Sequence, residues 1–414
     1  MPKERILIRS ATLQIFNRMI WFIALFSLAM IAVDCMAVKR LFGDRNRKRR
    51  TAITICVLAA DLLPFLSMAA VFLFSRDNTT GVMMFSAWMF YLYMITAVSR
   101  LPFNLAAALS RNGAVRVLGA TVSLVMVGMF VYGMAVTRTD YEVKRVTIES
   151  DHLPAAFDGY AIAVISDIHI GTMLRPQREL TRLAELCNSL HPDMVAFCGD
   201  LVNIRYTEID EPIARALTLF SAPDGVFSVI GNHDTGCYIR DSLSLTPEEN
   251  TARLIEKETE AGWRVLDDRT DYIRRGADSI AVTGISFSRG LKDNRHSQHI
   301  PAAEIDGIYA SVPDSLFDIT LAHIPQLWTP ILEKRLADLT LSGHVHAMQM
   351  KFPAGERGVS PARLVYPRWS GLYEEDGRAL YVNDGIGCVL YPMRIGARPE
   401  ITLITLKYRI MPQK

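Results

Sequence analysis

Four apolar runs, interrupted by two acids, crowd the first third of this chain: approximately Met19–Val38, Ala52–Phe74, Val82–Val98 and Val117–Val136. Each is long enough for a helix to cross a hydrocarbon core, which takes roughly 20 residues. Inside a bilayer the backbone must satisfy its own hydrogen bonds, so helices are the fold open to such runs. A secretory signal peptide does not fit, because the run recurs and no small-residue cleavage site follows the first. Buried core helices of a soluble protein are the alternative, and the charged stretches between successive runs argue against it. The chain has 414 residues, and past about Val136 its composition becomes that of an ordinary soluble domain. The expectation is an all-α transmembrane bundle of four spans in residues 1–138, then a second domain in 139–414.

Charge between the runs sets the orientation. The first connection holds Lys39, Arg40, Arg45, Arg47, Lys48, Arg49 and Arg50 against Asp44. The third holds Arg100, Arg111 and Arg116 with no acid, and the second, around 76–81, is nearly neutral. The positive-inside rule puts the first and third loops in the cytoplasm. Four spans then place both termini, and the soluble domain, outside it. Lys3, Arg5, Arg9 and Arg18 pull the amino terminus the other way. Two acids fall within the runs. Asp34 lies near the cytoplasmic end of the first, whereas Asp61 is nearer the middle of the second, where a carboxylate is costly. It is either functional or held protonated or hydrogen-bonded inside the bundle.

The chain has 6 cysteines and no C-x-x-C spacing, so neither a zinc knuckle nor a redox pair is supported. A formal net charge of +2 suggests no nucleic-acid partner.

In the soluble part, strands and helices alternate. Strands are expected at Tyr141–Ser150, Tyr160–Ile165, Met194–Cys198, Gly225–Ile230, Ser279–Ser286, Phe317–Ala322, Ala337–Ser342, Leu380–Asn383 and Glu400–Leu406. Helices are expected at Gln177–Leu190, Glu211–Phe220 and Pro247–Ala261. That alternation argues for an α/β domain with helices covering its sheets.

Five of the apolar strands run into polar tips: Asp167-Ile168-His169, Gly199-Asp200, Gly231-Asn232-His233-Asp234, His323, and Gly343-His344-Val345-His346. Each alone is weak, since Gly-Asp is a common turn and a lone histidine after an apolar strand is usually a core residue. Their order and placement strengthen them, because ligands of open α/β sheets gather beyond the carboxyl ends of strands. Of 9 histidines, five (His169, His233, His323, His344 and His346) lie at these tips. Imidazole nitrogens mixed with carboxylate and amide oxygens suit manganese, iron or zinc, and the lack of cysteine ligands argues against a closed structural zinc site. Two cations a few ångströms apart need a shared anion, which Asp200 could supply. Such a pair clamps a phosphoryl group and activates a water, the chemistry of phosphate-ester hydrolysis.

The ordered series D-x-H, G-D, G-N-H-D, H, G-H-x-H resembles the calcineurin-like metallophosphoesterase superfamily. The lead-in FDGYAIAVISDIHIG and the tail YVNDGIGCVLYPMRIGARPEITLITL are similar to its bacterial membrane-associated branch. The resemblance covers about Tyr141 to Leu406. It implies a four-layer αββα sandwich and two divalent metal ions. Asp167, His169 and His346 would hold the first, and Asn232, His323 and His344 the second, with Asp200 bridging. It implies that His233 contacts the phosphate and serves the leaving oxygen, with Asp234 orienting its ring, and that a metal-bridging hydroxide attacks phosphorus. The substrates expected are phosphodiesters or phosphoanhydrides, lipid-linked ones included, met at a bacterial plasma membrane. The reading of another class is a non-catalytic membrane sensor built on this fold, which predicts lost ligands; every ligand position is filled.

Two departures stand out. Asn203 replaces the second aspartate of a G-D-x-x-D block, and Ala347-Met348 stand where relatives often carry paired glycines. A polar and aromatic insertion, Lys351–Arg378, follows the last motif and could meet a phosphate, a headgroup or the membrane surface, or be a solvated loop. The basic stretch Ser288–Pro301 could cap the site or simply be solvated.

Overall fold

The structure, a computed structural model, describes residues 24–43, 47–74, 79–240, 245–287, 303–355 and 357–409. The Ser288–Pro301 stretch lies outside the described residues. The chain divides into two compact units, Met1–Ser75 with Ser86–Val131 and Arg76–Phe85 with Tyr132–Lys414.

The first unit is helical. Residues 24–42 form α1, followed by α2 (Arg47–Phe74), α3 (Thr80–Thr96), α4 (Leu101–Leu109) and α5 (Gly113–Ala135). Among the described residues three stretches are long and apolar enough to cross a membrane: Arg47–Val71, Thr80–Leu109 and Gly113–Thr139. The expected first span begins outside the described residues, and its described part, 24–38, is helical. The packing is inverted relative to a water-soluble bundle. Leu25, Leu63 and Leu124 are more than 60 % exposed, whereas Asp34 and Asp61 are only 1 % exposed. That distribution suits an apolar solvent. The buried acids are satisfied within the unit: Arg100 donates to Asp61 at 2.5 Å and to Asp34 at 3.2 Å, and Asn104 donates to Asp34. Asp61 is thus hydrogen-bonded inside the bundle.

The second unit contains two six-stranded mixed sheets. The first sheet comprises β1 (Glu142–Ser150), β2 (Ala161–Ile165), β3 (Met194–Phe197), β4 (Val226–Ser228), β5 (Arg264–Val265) and β12 (Glu400–Tyr408), in the order β1-β12-β2-β3-β4-β5. The other comprises β6 (Arg269–Arg275), β7 (Asp278–Ile285), β8 (Phe317–Ala322), β9 (Leu339–Ser342), β10 (Gly371–Glu375) and β11 (Arg378–Val382), in the order β10-β11-β9-β8-β7-β6. Strands β2 to β5 run parallel in the first sheet, and β7, β8, β9 and β11 in the second.

Alternate residues of each strand build two cores. Ile162, Val164, Met194 and Ala196 meet Ile319, Leu321, Leu339 and Leu341 between the sheets. On the other face of the first sheet, Ala163, Ile165, Val195 and Phe197 pack on Leu180, Leu183 and Ala184 of α6 (Pro176–Asn188) and on α7 (Glu211–Leu217). On the far face of the second sheet, Ile285 and Ala322 meet Ile305 and Ile331 of the helices Ala303–Tyr309 and Trp328–Glu333. Helix, sheet, sheet and helix therefore follow one another. Strands β2, β3, β4, β8 and β9 end toward one rim, and the polar tips extend from there.

Candidate metal centre

The tips converge because the parallel strands present their carboxyl ends together, and the backbone there is bent sharply. Asp167, His169, Asp200, His344 and His346 all have positive φ, between 49° and 70°. Residues with a Cβ rarely take this conformation, and such strain gathers at functional sites. Two glycines permit the close approach. A Cβ on Gly231 would lie 2.2 Å from Asp200 Oδ1, and one on Gly343 would lie 2.4 Å from Asp167 Oδ2. At these two tips the close packing needs a glycine beside the polar residue.

Seven of the expected side chains meet in two overlapping groups. Asp167, His169, Asp200 and His346 bring one ligand-type atom each within 4.8 Å of the others, as do Asp200, His323 and His344. Asn232 joins the second group: its Oδ1 lies 2.9 Å from His323 Nε2 and 2.8 Å from His344 Nδ1. Asp200 Oδ2 is 3.2 Å from His323 Nε2 and 3.6 Å from His169 Nε2. His346 Nε2 is 3.0 Å from Asp167 Oδ1 and 3.2 Å from His169 Nε2. Acceptor atoms therefore face acceptor atoms at short range, in surroundings that exclude water. His169 Nδ1 and His344 Nε2 also lack a hydrogen-bond partner among the described residues. Such crowding is costly for bare side chains and is resolved by a cation, so these residues fit divalent metals. His323 Nδ1 lies 2.8 Å from the Cys198 carbonyl, to which it donates, and this turns Nε2 toward Asp200 and Asn232.

Electrostatics agree. Burial works against the Asp200 anion, yet His323 and His233 beside it hold its carboxyl well below the usual range. Burial lowers the His323 pKa, and Asp200 more than reverses this, raising it to about 9. His169 and His344 are pushed well down, first by burial and then by neighbouring imidazoles, and stay neutral, as ligands must.

The structure corrects the role expected of Asp234. Its carboxylate does not serve the His233 ring. One oxygen accepts from the N–H groups of Asp200 and Gly231 at 2.7 and 2.9 Å, the other from Leu201 and Val202 at 2.9 and 3.1 Å. Burial and the Asp200 charge push its pKa up to about 7, while these four donors favour the anion. Asp234 is the clasp between the second and third tips. His233 Nδ1 instead meets the Asn203 carbonyl at 2.6 Å, and its backbone N–H donates to Asp200 Oδ1 at 2.8 Å.

Several contributors are absent from the sequence reading. Asn383 accepts from Ser166 Oγ at 3.0 Å and from Gly385 N at 2.9 Å, locking β11's tip to β2's. This is a sixth polar strand end, and the rule that picked out the other five would have found it. Arg394, fully buried, donates to the carbonyls of Gly387, Asp384 and Ala397 and holds the same loop. Glu208 accepts the N–H groups of Asn203 and Ile204 at 2.7 and 2.9 Å. Tyr366, by contrast, belongs to the aromatic insertion that the sequence reading sets beside the site, and its ring lies edge-on to His344 at 5.9 Å between centroids.

Known proteins point the same way. Residues 160–348 match the family model for calcineurin-like phosphoesterases. An uncharacterized metallophosphoesterase of Bacillus subtilis, YkuE, is 28 % identical over 268 residues, 64 % of this chain and 85 % of its own. A transmembrane protein with metallophosphoesterase domain from Danio rerio is 28 % identical over 338 residues, 77 % of this chain and 70 % of its own. The UDP-2,3-diacylglucosamine pyrophosphatase LpxG of Chlamydia muridarum is 24 % identical over 292 residues, 61 % of this chain and 85 % of its own. On this match the soluble domain belongs to the calcineurin-like metallophosphoesterase superfamily.

Proposed function

We propose that residues 139–414 form a metal-dependent hydrolase of phosphodiesters or phosphoanhydrides. The bundle 1–138, with four spans, anchors it to a bacterial plasma membrane with the domain on the extracytoplasmic side. The observation that carries the reading is the sharing of Asp200 by two groups of ligand atoms, each within 4.8 Å. Asp167, His169 and His346 would hold one divalent ion and Asn232, His323 and His344 the other, with Asp200 common to both; manganese, iron and zinc all suit the donor set. When bound, such a pair supplies Lewis-acid polarisation of the phosphoryl group and a water acidic enough to act as nucleophile.

The protein's own groups do the rest. Asp234 fixes the backbone beneath Asp200 through four N–H groups, so the shared carboxylate is placed before substrate arrives. His233 donates its Nδ1–H to the Asn203 carbonyl, which leaves Nε2 for the substrate. When charged, that ring donates a proton to the leaving oxygen.

Lipid-linked substrates are favoured by the anchor, which raises their local concentration at the domain. The name of one relative, UDP-2,3-diacylglucosamine pyrophosphatase, suggests a phosphoanhydride on a lipid-bearing group. The test is turnover of a chromogenic phosphodiester with manganese by the full chain, beside Asp200→Asn. The variant should lose more than about 100-fold, beyond the range for groups that merely support a ligand. Equal rates would remove Asp200 from catalysis and the reading with it.

A further inference from the structure

The insertion after His346 carries a surface that neither the core nor the metal centre accounts for. Phe352 and Val359 pair across a short antiparallel bridge, with N–H···O distances of 2.8 and 2.9 Å. Directly opposed residues project their side chains to one face. Ser360 Oγ then ties the chain to the Ala347 carbonyl at 2.6 Å, and the 3-10 turn Pro361–Leu364 follows. Within this anchored turn Ala362 and Tyr366 are buried, yet Leu364 is 85 % exposed and Val365 48 %. Phe352 and Val359 are exposed as well, at 42 % and 37 %. Leu364 is more exposed than Leu109, at 73 %, or Leu124, at 72 %, which lie on the membrane-type helices. Two residues on, Tyr366 touches His344, so the apolar tip adjoins the metal centre.

Four large apolar side chains held exposed on one anchored loop are the kind of feature that marks a binding surface. The chain itself indicates what covers it. The last apolar helix ends at Ala135 and β1 begins at Glu142, a linker of at most about 25 Å when fully extended. A domain on so short a tether stays against the bilayer whichever way it turns. Arg363 is exposed in the same turn, and no acid occurs between Val359 and Arg368. Apolar side chains beside a cation make up an interfacial anchor for anionic lipid.

We propose that the loop bearing Phe352, Val359, Leu364 and Val365 inserts into an anionic lipid surface and holds the candidate metal centre over phosphate groups at the interface. The last clause rests on the hydrolase reading; the insertion does not.

The test uses the full chain in nanodiscs of phosphatidylethanolamine and phosphatidylglycerol. An environment-sensitive fluorescent amino acid is placed at position 364 or, as control, at position 219, where Leu219 is 43 % exposed. Nitroxide-labelled lipid should quench most of the emission at 364 and leave that at 219, and Val365→Asp with Phe352→Asp should restore it. Aqueous iodide quenching both positions alike would overturn the proposal. A probe at 364 shielded from iodide and lipid alike would also overturn it, because the cover would then be protein. Turnover is not needed for the readout. A protein inactive on every ester but quenched at 364 would sink the hydrolase and keep the docking.

Discussion

Glu208 illustrates how a residue can matter to the site without facing it. Its carboxylate is 7 % exposed and accepts backbone N–H groups at 203, 204 and 205, the longest at 3.3 Å. Those bonds fix the turn that aims the Asn203 carbonyl at His233. Removing the acid takes the acceptor from these donors and from the Gly171 N–H, and lets the imidazole drift. Glu208→Ala should lower kcat about tenfold with KM little changed, and Glu208→Gln, which keeps an acceptor oxygen, should recover part of it. A purely structural role would instead reduce the folded fraction and leave kcat per folded molecule intact. The same pocket explains the asparagine at 203. A Cβ on Gly171 would lie 2.5 Å from Glu208 Oε2 and 2.9 Å from Asn203 Oδ1, so an aspartate there would set two carboxylates side by side. The ligand-type residues were legible because each follows an apolar strand. Glu208 was not, since an acid that binds only backbone N–H groups leaves no pattern in its neighbours. Asp234 was misassigned for the same reason: adjacency to His233 suggested a side-chain partner, and its true partners are four N–H groups.

Among the elements, burial decided what could be read. Phe317–Ala322 falls where the apolar run places it, and β2, β3, β7 and β9 lie within two residues of expectation. The strands missed are β5 (two residues), β6 (RTDYIRR) and β10 (GLYEE). The last two are the edges of the second sheet, and edge strands carry charge to block further pairing, which hides them from a search for apolar runs. The short helices at Ala303–Tyr309 and Trp328–Glu333 escaped because one face of two turns shows no period. Between elements, α8 (Pro247–Glu260) and β4 share a buried acid. Glu258 is 0 % exposed, Ser228 Oγ donates to one oxygen at 2.5 Å, and the other has no partner among the described residues. Burial first, then the Asp234 charge, pushes its pKa from 4.5 up to about 8. Between those values the folded state keeps a proton that the unfolded chain has released. Stability therefore falls as pH rises through the window, by at most ~1.4 kcal/mol per pH unit. Glu258→Gln has no proton to lose, so its melting temperature should exceed that of the parent at pH 8, with the gap closing toward pH 5. An equal gap at both pH values would show that Glu258 is ionised in the fold.

At the scale of the whole molecule the proposed reading turns on which side of a membrane the candidate metal centre would occupy, and that does not depend on the number of spans. Three stretches qualify among the described residues rather than the four expected, yet the placement of the domain depends only on the last, Gly113–Thr139. Its side is set by the cations before it. Arg100 is not one of them, since Asp34 and Asp61 neutralise it inside the bundle. Arg111 and Arg116 remain, reinforced across α2 and α3 by the basic cluster at 47–50. On the proposed topology loops of that sign stay in the cytoplasm, and a helix starting at Gly113 would deliver β1 to the opposite face. Protease added to intact cells should therefore remove the domain after residue 139 and spare the bundle. Arg111→Glu with Arg116→Glu should leave a protected fraction that the parent lacks. A domain protected in the parent would place the metal centre in the cytoplasm. Nucleotide-linked precursors would then return as substrates, and the tip at Leu364 would face the cytoplasmic leaflet, where anionic lipid is concentrated.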